Sequence, residues 1–325
     1  MKQVFLAADL GGTNLRLAAI DPTGAVIFRS RKQTPASGHQ NEILGTIRSA
    51  ISECGNELAA EFAFAAFGAA VPAIVNSNRG VILRSPNLPE LNDLRFTELF
   101  SEELSIPVVL ENDANAAAVG ESWKGASRGV RNSIHVTLGT GVGGGIIIDG
   151  SLVRGVDGTA GEIGHIAVEP EGYPCGCGSR GCVEQYASAT AIVRLTKELM
   201  PAFPQTTLRS SLELSPLDVY NAGMAGDELS REVFRLMGTY LGIALGGLVN
   251  VLNPEAIVIG GGASAGWDLF IEPLRAEISR RAFPHPAERV RLMRSELGDD
   301  AGILGAAFLA SESLEQGRQS TRLQV

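Results

Sequence analysis

Ala8–Asp21 reads ADLGGTNLRLAAID, Val136–Asp149 reads VTLGTGVGGGIIID, and the two stretches align without a gap. Each arrives as an apolar strand, turns on glycine and threonine, and leaves as a second apolar strand closed by aspartate. The matched pair predicts two similar half-molecules, each presenting a glycine hairpin whose exposed N–H groups can cradle phosphate. Gly11, Gly12 and Gly141 supply the turns, Thr13, Asn14 and Thr140 side-chain donors, and Arg16 a fixed charge. The second copy contains Gly139-x-Gly141-x-x-Gly144, the letters of a dinucleotide fingerprint. That fingerprint needs a helix directly after the glycines, whereas Ile146, Ile147 and Ile148 continue a strand. No Gly-Lys-Ser or Gly-Lys-Thr occurs, so a Walker loop is excluded.

Composition is compatible with this reading. A chain of 325 residues exceeds what one core usually serves, and 45% hydrophobic residues are ample for packing two. The formal net charge of −9 and the lack of any Lys/Arg run leave no footing for nucleic acid. The longest nearly apolar run, Phe62 to Val75, contains Gly68 and Pro72 and is shorter than the roughly 18–20 residues of a membrane span. Asp9 interrupts the apolar N-terminus before a signal-peptide core forms. A cytoplasmic protein with reduced thiols, no membrane and no nucleic acid is expected.

Three of the four cysteines lie within eight positions, as Cys175-x-Cys177-x4-Cys182, and His165 precedes them by ten. Three thiolates and an imidazole make a closed tetrahedral set for structural zinc. The competing readings, a disulfide or a glycine turn with incidental thiols, leave three cysteines to be explained separately. Cys54, alone on a predicted helix, reads as core. Glu162 and Glu184 flank the cluster; with the free ring N–H of a metal-bound His165 they read as a cradle for hydroxyl groups.

In SIPVVLENDANAAAVGESW the apolar strand ends at Leu110 and an Ala-rich helix follows, which puts Asp113 at the corner. Helix capping would account for a lone aspartate there. Its place at a strand's carboxyl end also suits a general base for phosphoryl transfer. Asn87, in a Pro-rich loop, is a further hydroxyl partner, and Gly260–Gly262 ends an apolar strand where a ligand can approach the backbone. His135 reads as core, and REVFRLMGTYLGIALGGLVNVLNP as a buried helix stopped near Pro254.

These segments together resemble the ROK family (repressors, open reading frames and sugar kinases), and within it the bacterial glucokinases. The likeness runs through DLGGTNLR, SPNLP, ENDANAAAVGE, TLGTGVGGGI, GTAGEIGHIAV, CGCGSRGCVEQYAS and IVIGGGAS in family order. The resemblance implies an α/β, actin-like ATPase (ribonuclease-H-like) fold with two domains around a central cleft. It implies Asp113 as catalytic base, and Asn87, Asn112, Asp113, Glu162, His165 and Glu184 as sugar-binding positions. His165 would also ligate zinc with Cys175, Cys177 and Cys182. Asp9 to Arg16 and Thr137 to Gly145 match the two phosphate motifs, Gly261 and Gly262 belong to the adenosine motif, and Asp9 would sit near magnesium. Ala73 stands where the family usually has glycine.

The expectation is therefore ATP- and magnesium-dependent phosphorylation of a hexose at its 6-hydroxyl, glucose first. Mannose, N-acetylmannosamine, N-acetylglucosamine, allose or fructose are the alternative acceptors. Residues 1–120 and 301–325 would form the first domain, 121–300 the second, in a homo-oligomer (dimer or tetramer). A sugar-sensing regulator is the competing class. Regulators of this family carry an N-terminal helix-turn-helix, and the first strand here starts by Val4. A mechanical ATPase leaves the thiol cluster unexplained.

Overall fold

A computed structural model of the chain describes residues 1–35, 39–210 and 213–322. The last three residues of the expected C-terminal segment lie outside the described residues. The chain separates into two compact units. One comprises residues 1–129, 145–161 and those from 296 on; the other comprises 130–144 and 162–295.

The first unit opens with β1 (Lys2–Leu10), β2 (Asn14–Ile20) and β3 (Val26–Gln33), followed by α1 (Gln40–Leu58) and β4 (Phe62–Val71). A small ribbon of β5 (Ile74–Asn76) and β6 (Val81–Arg84) precedes α2 (Phe96–Leu104), β7 (Val108–Asn112) and α3 (Asp113–Lys124). Its sheet has the order β3-β2-β1-β4-β7, with β1, β2 and β3 antiparallel and β1, β4 and β7 parallel.

Successive residues of β1 feed opposite faces, as the pleat requires. Val4, Leu6, Ala8 and Leu10 join the core with Ile43, Leu44 and Ile47 of α1 and Phe96 and Phe100 of α2. Phe5 and Ala7 join the other core, with Ala116 of α3 and Ile303 and Leu304. Both faces of β1 are thus covered by helices, which explains why its central residues are apolar on both sides rather than alternating.

The second sheet repeats the plan. Its strands are β8 (Ser133–Leu138), β9 (Val142–Ile148), β10 (Ser151–Leu152), β11 (Ala256–Gly260) and β12 (Arg291–Arg294), in the order β10-β9-β8-β11-β12. Again one side is antiparallel, β10 on β9, and the other parallel, β8 on β11 and β11 on β12. The two aligned stretches of sequence are the equivalent hairpins β1–β2 and β8–β9, so the internal repeat is real.

The remaining helices are α4 (Glu184–Ala187), α5 (Ala189–Leu199), α6 (Pro216–Met224), α7 (Glu228–Leu252), α8 (Trp267–Arg281), α9 (Pro284–Arg289) and α10 (Ala301–Arg322). Gly238 and Gly242 of α7 press on the α8 backbone at Phe270 and Leu274, where no Cβ would fit. This row of small residues lets the two helices approach closely. By length and composition α7 is the one helix among the described residues able to cross a membrane, yet its Val233, Met237, Leu241 and Leu245 are fully buried within the protein.

Helix α10 packs on α3 in the first unit. A Cβ on Gly305 would collide with the Ala116 carbonyl oxygen, so the contact requires glycine there. Arg16 and Arg29 hold its entry, pairing with Asp299 at 2.6 Å and Asp300 at 2.5 Å.

Candidate active site and metal centre

In the first unit, the β1–β2 turn leaves Gly12 and Thr13 exposed, while Gly11 N–H donates to the Asn14 carbonyl at 2.8 Å. Thr34 Oγ1 donates to the Gly11 carbonyl at 2.8 Å and fixes the turn from behind. Asn87 is exposed, and its Cβ comes within 3.6 Å of where a Cβ on Gly12 would be. Asp9 lies near the end of β1, beside this turn. Burial pushes its carboxyl above the usual aspartate range; Arg16 at 3.5 Å opposes the shift and Asp299 adds to it. Arg16, read as a fixed charge beside the turn, donates to Asp299 Oδ2 at 2.6 Å and to the Asp299 carbonyl at 3.2 Å.

The strand-to-helix corner assigns roles that the sequence left open. Asn112 caps α3: its Oδ1 accepts from the N–H groups of Ala114 at 2.9 Å and Asn115 at 3.1 Å. Its Nδ2 donates to the Ala73 carbonyl at 3.2 Å. Asp113 is then the first helical residue, its Oδ1 accepting from Ala114 N–H at 2.9 Å. Sequence reasoning passed over Glu111, which is buried and accepts from Asn112 N–H, Asn115 Nδ2, Ser77 Oγ and Arg154 Nε. The only signal was a glutamate placed where an apolar strand ends.

In the second unit, the β8–β9 turn exposes Thr140. Its backbone is tied to the start of α5: Ala189 N–H donates to the Gly139 carbonyl at 2.8 Å and Thr190 Oγ1 to the Thr140 carbonyl at 2.9 Å. A cavity of about 670 Å³ opens beside it, lined by Thr140, Thr190, Val193, Arg194 and Pro216 among others. Glu184 lies under the turn, its Oε2 accepting Val142 N–H at 3.0 Å. Gly261 and Gly262 follow β11 and are both exposed.

Glu162 precedes a short 3-10 turn that ends at His165, with Glu162 Oε2 3.9 Å from His165 Nε2. Burial pushes the Glu162 carboxyl above its ordinary value, against the pull of His165 and reinforced by Glu184. The imidazole's other nitrogen, Nδ1, is 3.6 Å from Cys175 Sγ. Cys177 Sγ and Cys182 Sγ are also 3.6 Å apart, and the four donor atoms all lie within 4.8 Å of one another.

These separations test the metal. Thiolates about 2.3 Å from a tetrahedral zinc stand about 3.8 Å apart, whereas a disulfide brings sulfurs to about 2.05 Å. All four cysteines are free, so a disulfide is set aside and the donor set fits a closed tetrahedral ion. Cys54 is fully buried on α1, as expected of a core residue.

Comparison with known proteins assigns the chain to a family. The ROK family model matches residues 5–313. The glucokinase of Halalkalibacterium halodurans is 35% identical over 97% of this chain and 98% of its own. A ROK family glucokinase from Streptomyces griseus, solved with glucose and AMPPNP, superposes with a TM-score of 0.79 at 33% identity, covering 95% of this chain and 99% of that one. A ROK family transcriptional regulator, a homologue of the E. coli MLC protein, gives a TM-score of 0.89 at 28% identity, over 97% of this chain and 79% of that one. The open-sheet α/β units are those of the actin-like ATPase architecture. With its repeated hairpins, its converging thiols and a match over nearly its whole length, this chain belongs to the ROK family.

Proposed function

We propose that the protein is an ATP-dependent sugar kinase that phosphorylates the 6-hydroxyl of a hexose, glucose being the first candidate. The observation that carries the reading is Asp113 at the carboxyl end of β7, with the capping of α3 performed by Asn112 instead. Asp113, with Oδ1 on the Ala114 N–H, stands where an apolar strand meets a helix, a place that suits a general base for phosphoryl transfer. The likeness to named glucokinases along the full chain supports the choice of acceptor.

On this reading Asp113 takes the proton of the attacking hydroxyl as its oxygen approaches the γ-phosphorus. Asn87, Asn112, Glu162, His165 and Glu184 are the partners of the sugar hydroxyls. The N–H groups of the turns at Gly11–Thr13 and Thr140–Gly141 receive the phosphates, and Gly261–Gly262 the adenosine. Asp9 is the candidate to hold magnesium carried by the nucleotide, which would supply positive charge beside the phosphates. His165, Cys175, Cys177 and Cys182 would hold zinc with all four tetrahedral positions filled, so it would fix the loop and take no Lewis-acid part.

The test is ADP formation from Mg-ATP with glucose, mannose, N-acetylmannosamine, N-acetylglucosamine, allose and fructose in turn. Stimulation by glucose above the others supports the full reading, and stimulation by another hexose replaces the acceptor alone. The likeness to a regulator favours a second reading, a sugar sensor, which takes over if no sugar stimulates turnover.

A further inference from the structure

Glu111 is a carboxylate with 2% of its side-chain surface exposed, in a unit where most other acids face solvent. Its Oε1 accepts three hydrogen bonds: from its neighbour Asn112 N–H at 3.0 Å, Asn115 Nδ2 at 3.1 Å and Ser77 Oγ at 3.2 Å. Its Oε2 accepts from Arg154 Nε at 2.7 Å. An ionised carboxylate is costly to bury unless paired and hydrogen-bonded, and this one has both kinds of partner.

The partners define what the carboxylate does. Asn112 and Asn115 belong to the corner and first turn of α3, on either side of Asp113. Ser77 follows β5, and the chain around Arg154 docks beside it: a Cβ on Gly158, at φ +93°, would collide with the Val75 carbonyl oxygen and stand 3.4 Å from Ser77 N. Val153 N–H donates to the Ile146 carbonyl at 2.8 Å, so the base of the Arg154 loop is secured as well. Glu111 therefore gathers the end of β7, the first turn of α3, the β5 ribbon and the Arg154 loop on one buried carboxyl group.

We propose that Arg154, acting through Glu111, is a positioning residue that sets the orientation of the Asp113 carboxylate for proton abstraction. The inference rests on the kinase reading given above. Arg154 touches no reacting atom; its guanidinium holds the Glu111 carboxylate, whose Oε1 fixes the Asn112 N–H one residue before the base. Arg154→Met removes the counter-charge and leaves the carboxylate buried without it, so the Glu111 side chain rearranges and the corner with it. Small misplacements of a catalytic group cost much rate and little binding.

The experiment uses the full chain loaded with zinc. Calorimetric titration with the best acceptor from the sugar panel counts binding-competent sites, and kcat is expressed per such site. For Arg154→Met we expect one site per chain, a sugar Kd within about threefold of the parent, and a kcat 10- to 100-fold lower. Arg154→Lys, which returns a charge to the same place, should recover most of the loss. A kcat per site within twofold of the parent in Arg154→Met overturns the proposal. So does a loss that follows the number of competent sites alone, because that marks a folding role. If the parent protein itself shows no sugar-stimulated turnover, the kinase reading fails and this inference goes with it.

Discussion

Glu184 Oε2 accepts the Val142 N–H at 3.0 Å, and its Oε1 lies 4.0 Å from Cys175 Sγ. One carboxylate thus supports the second glycine hairpin and reaches the thiol cluster. A Cβ on Gly141 would fall on Glu184 Oε2 and displace it from Val142. Gly141→Ala should raise the KM for Mg-ATP about tenfold, because the hairpin loses the support beneath its phosphate-facing turn. Zinc content, read by atomic emission, should stay at the parent level since no donor atom is touched. Unchanged KM and kcat would show that the turn does not need this clamp.

Asp113→Asn keeps size and polarity but cannot take a proton. The kcat should fall about a thousandfold while sugar binding by calorimetry persists, the pattern of a group acting in the transition state. Retained turnover would move the base elsewhere.

Emission analysis should find one zinc per chain. Cys182→Ser, or dialysis against a chelator, should lower the melting temperature by about 5–10 °C, because the ion's binding energy is also folding energy. Cys54 provides an internal control. Burial, with the charges of Glu57 and Glu53 behind it, pushes its thiol up to about 12, so it should resist alkylation until the chain is denatured. Chelation that exposes all four thiols at once would mean the loop is not an independent element.

Asp9 carries a stability cost with a definite sign. Its folded-state pKa lies above the aspartate value of 3.8, chiefly through burial, so the folded state binds its proton more tightly than the unfolded chain. Stability from this group is greatest below 3.8 and falls as pH rises through the raised value. Asp9→Asn should therefore be more stable than the parent to urea at pH 7, with the difference closing as pH approaches 3.8, and should lose magnesium-dependent turnover. A variant less stable than the parent at neutral pH would contradict the burial argument.

What the sequence determined by itself was local. The two glycine hairpins were legible because strand, turn and strand follow one another within a few residues, and their sheets have the same order. The spacing of Cys175, Cys177 and Cys182 after His165 was enough to anticipate the convergence of four donors, because a glycine loop of that length can close on one point. The corner at Asp113 followed from an apolar run meeting an Ala-rich one.

Only tertiary structure decided which polar groups are engaged. Arg16 meets Asp299, 283 residues away, because α10 returns to β1 and β2. Asn112 rather than Asp113 caps α3, a choice set by backbone angles at one residue that composition does not reveal. Arg154 meets Glu111 across 43 residues and Glu184 meets Val142 across 42. Such pairs depend on which strands neighbour each other and in what register. Periodicity shows that a strand has a buried face, and it carries no information on which distant charge will lie against it.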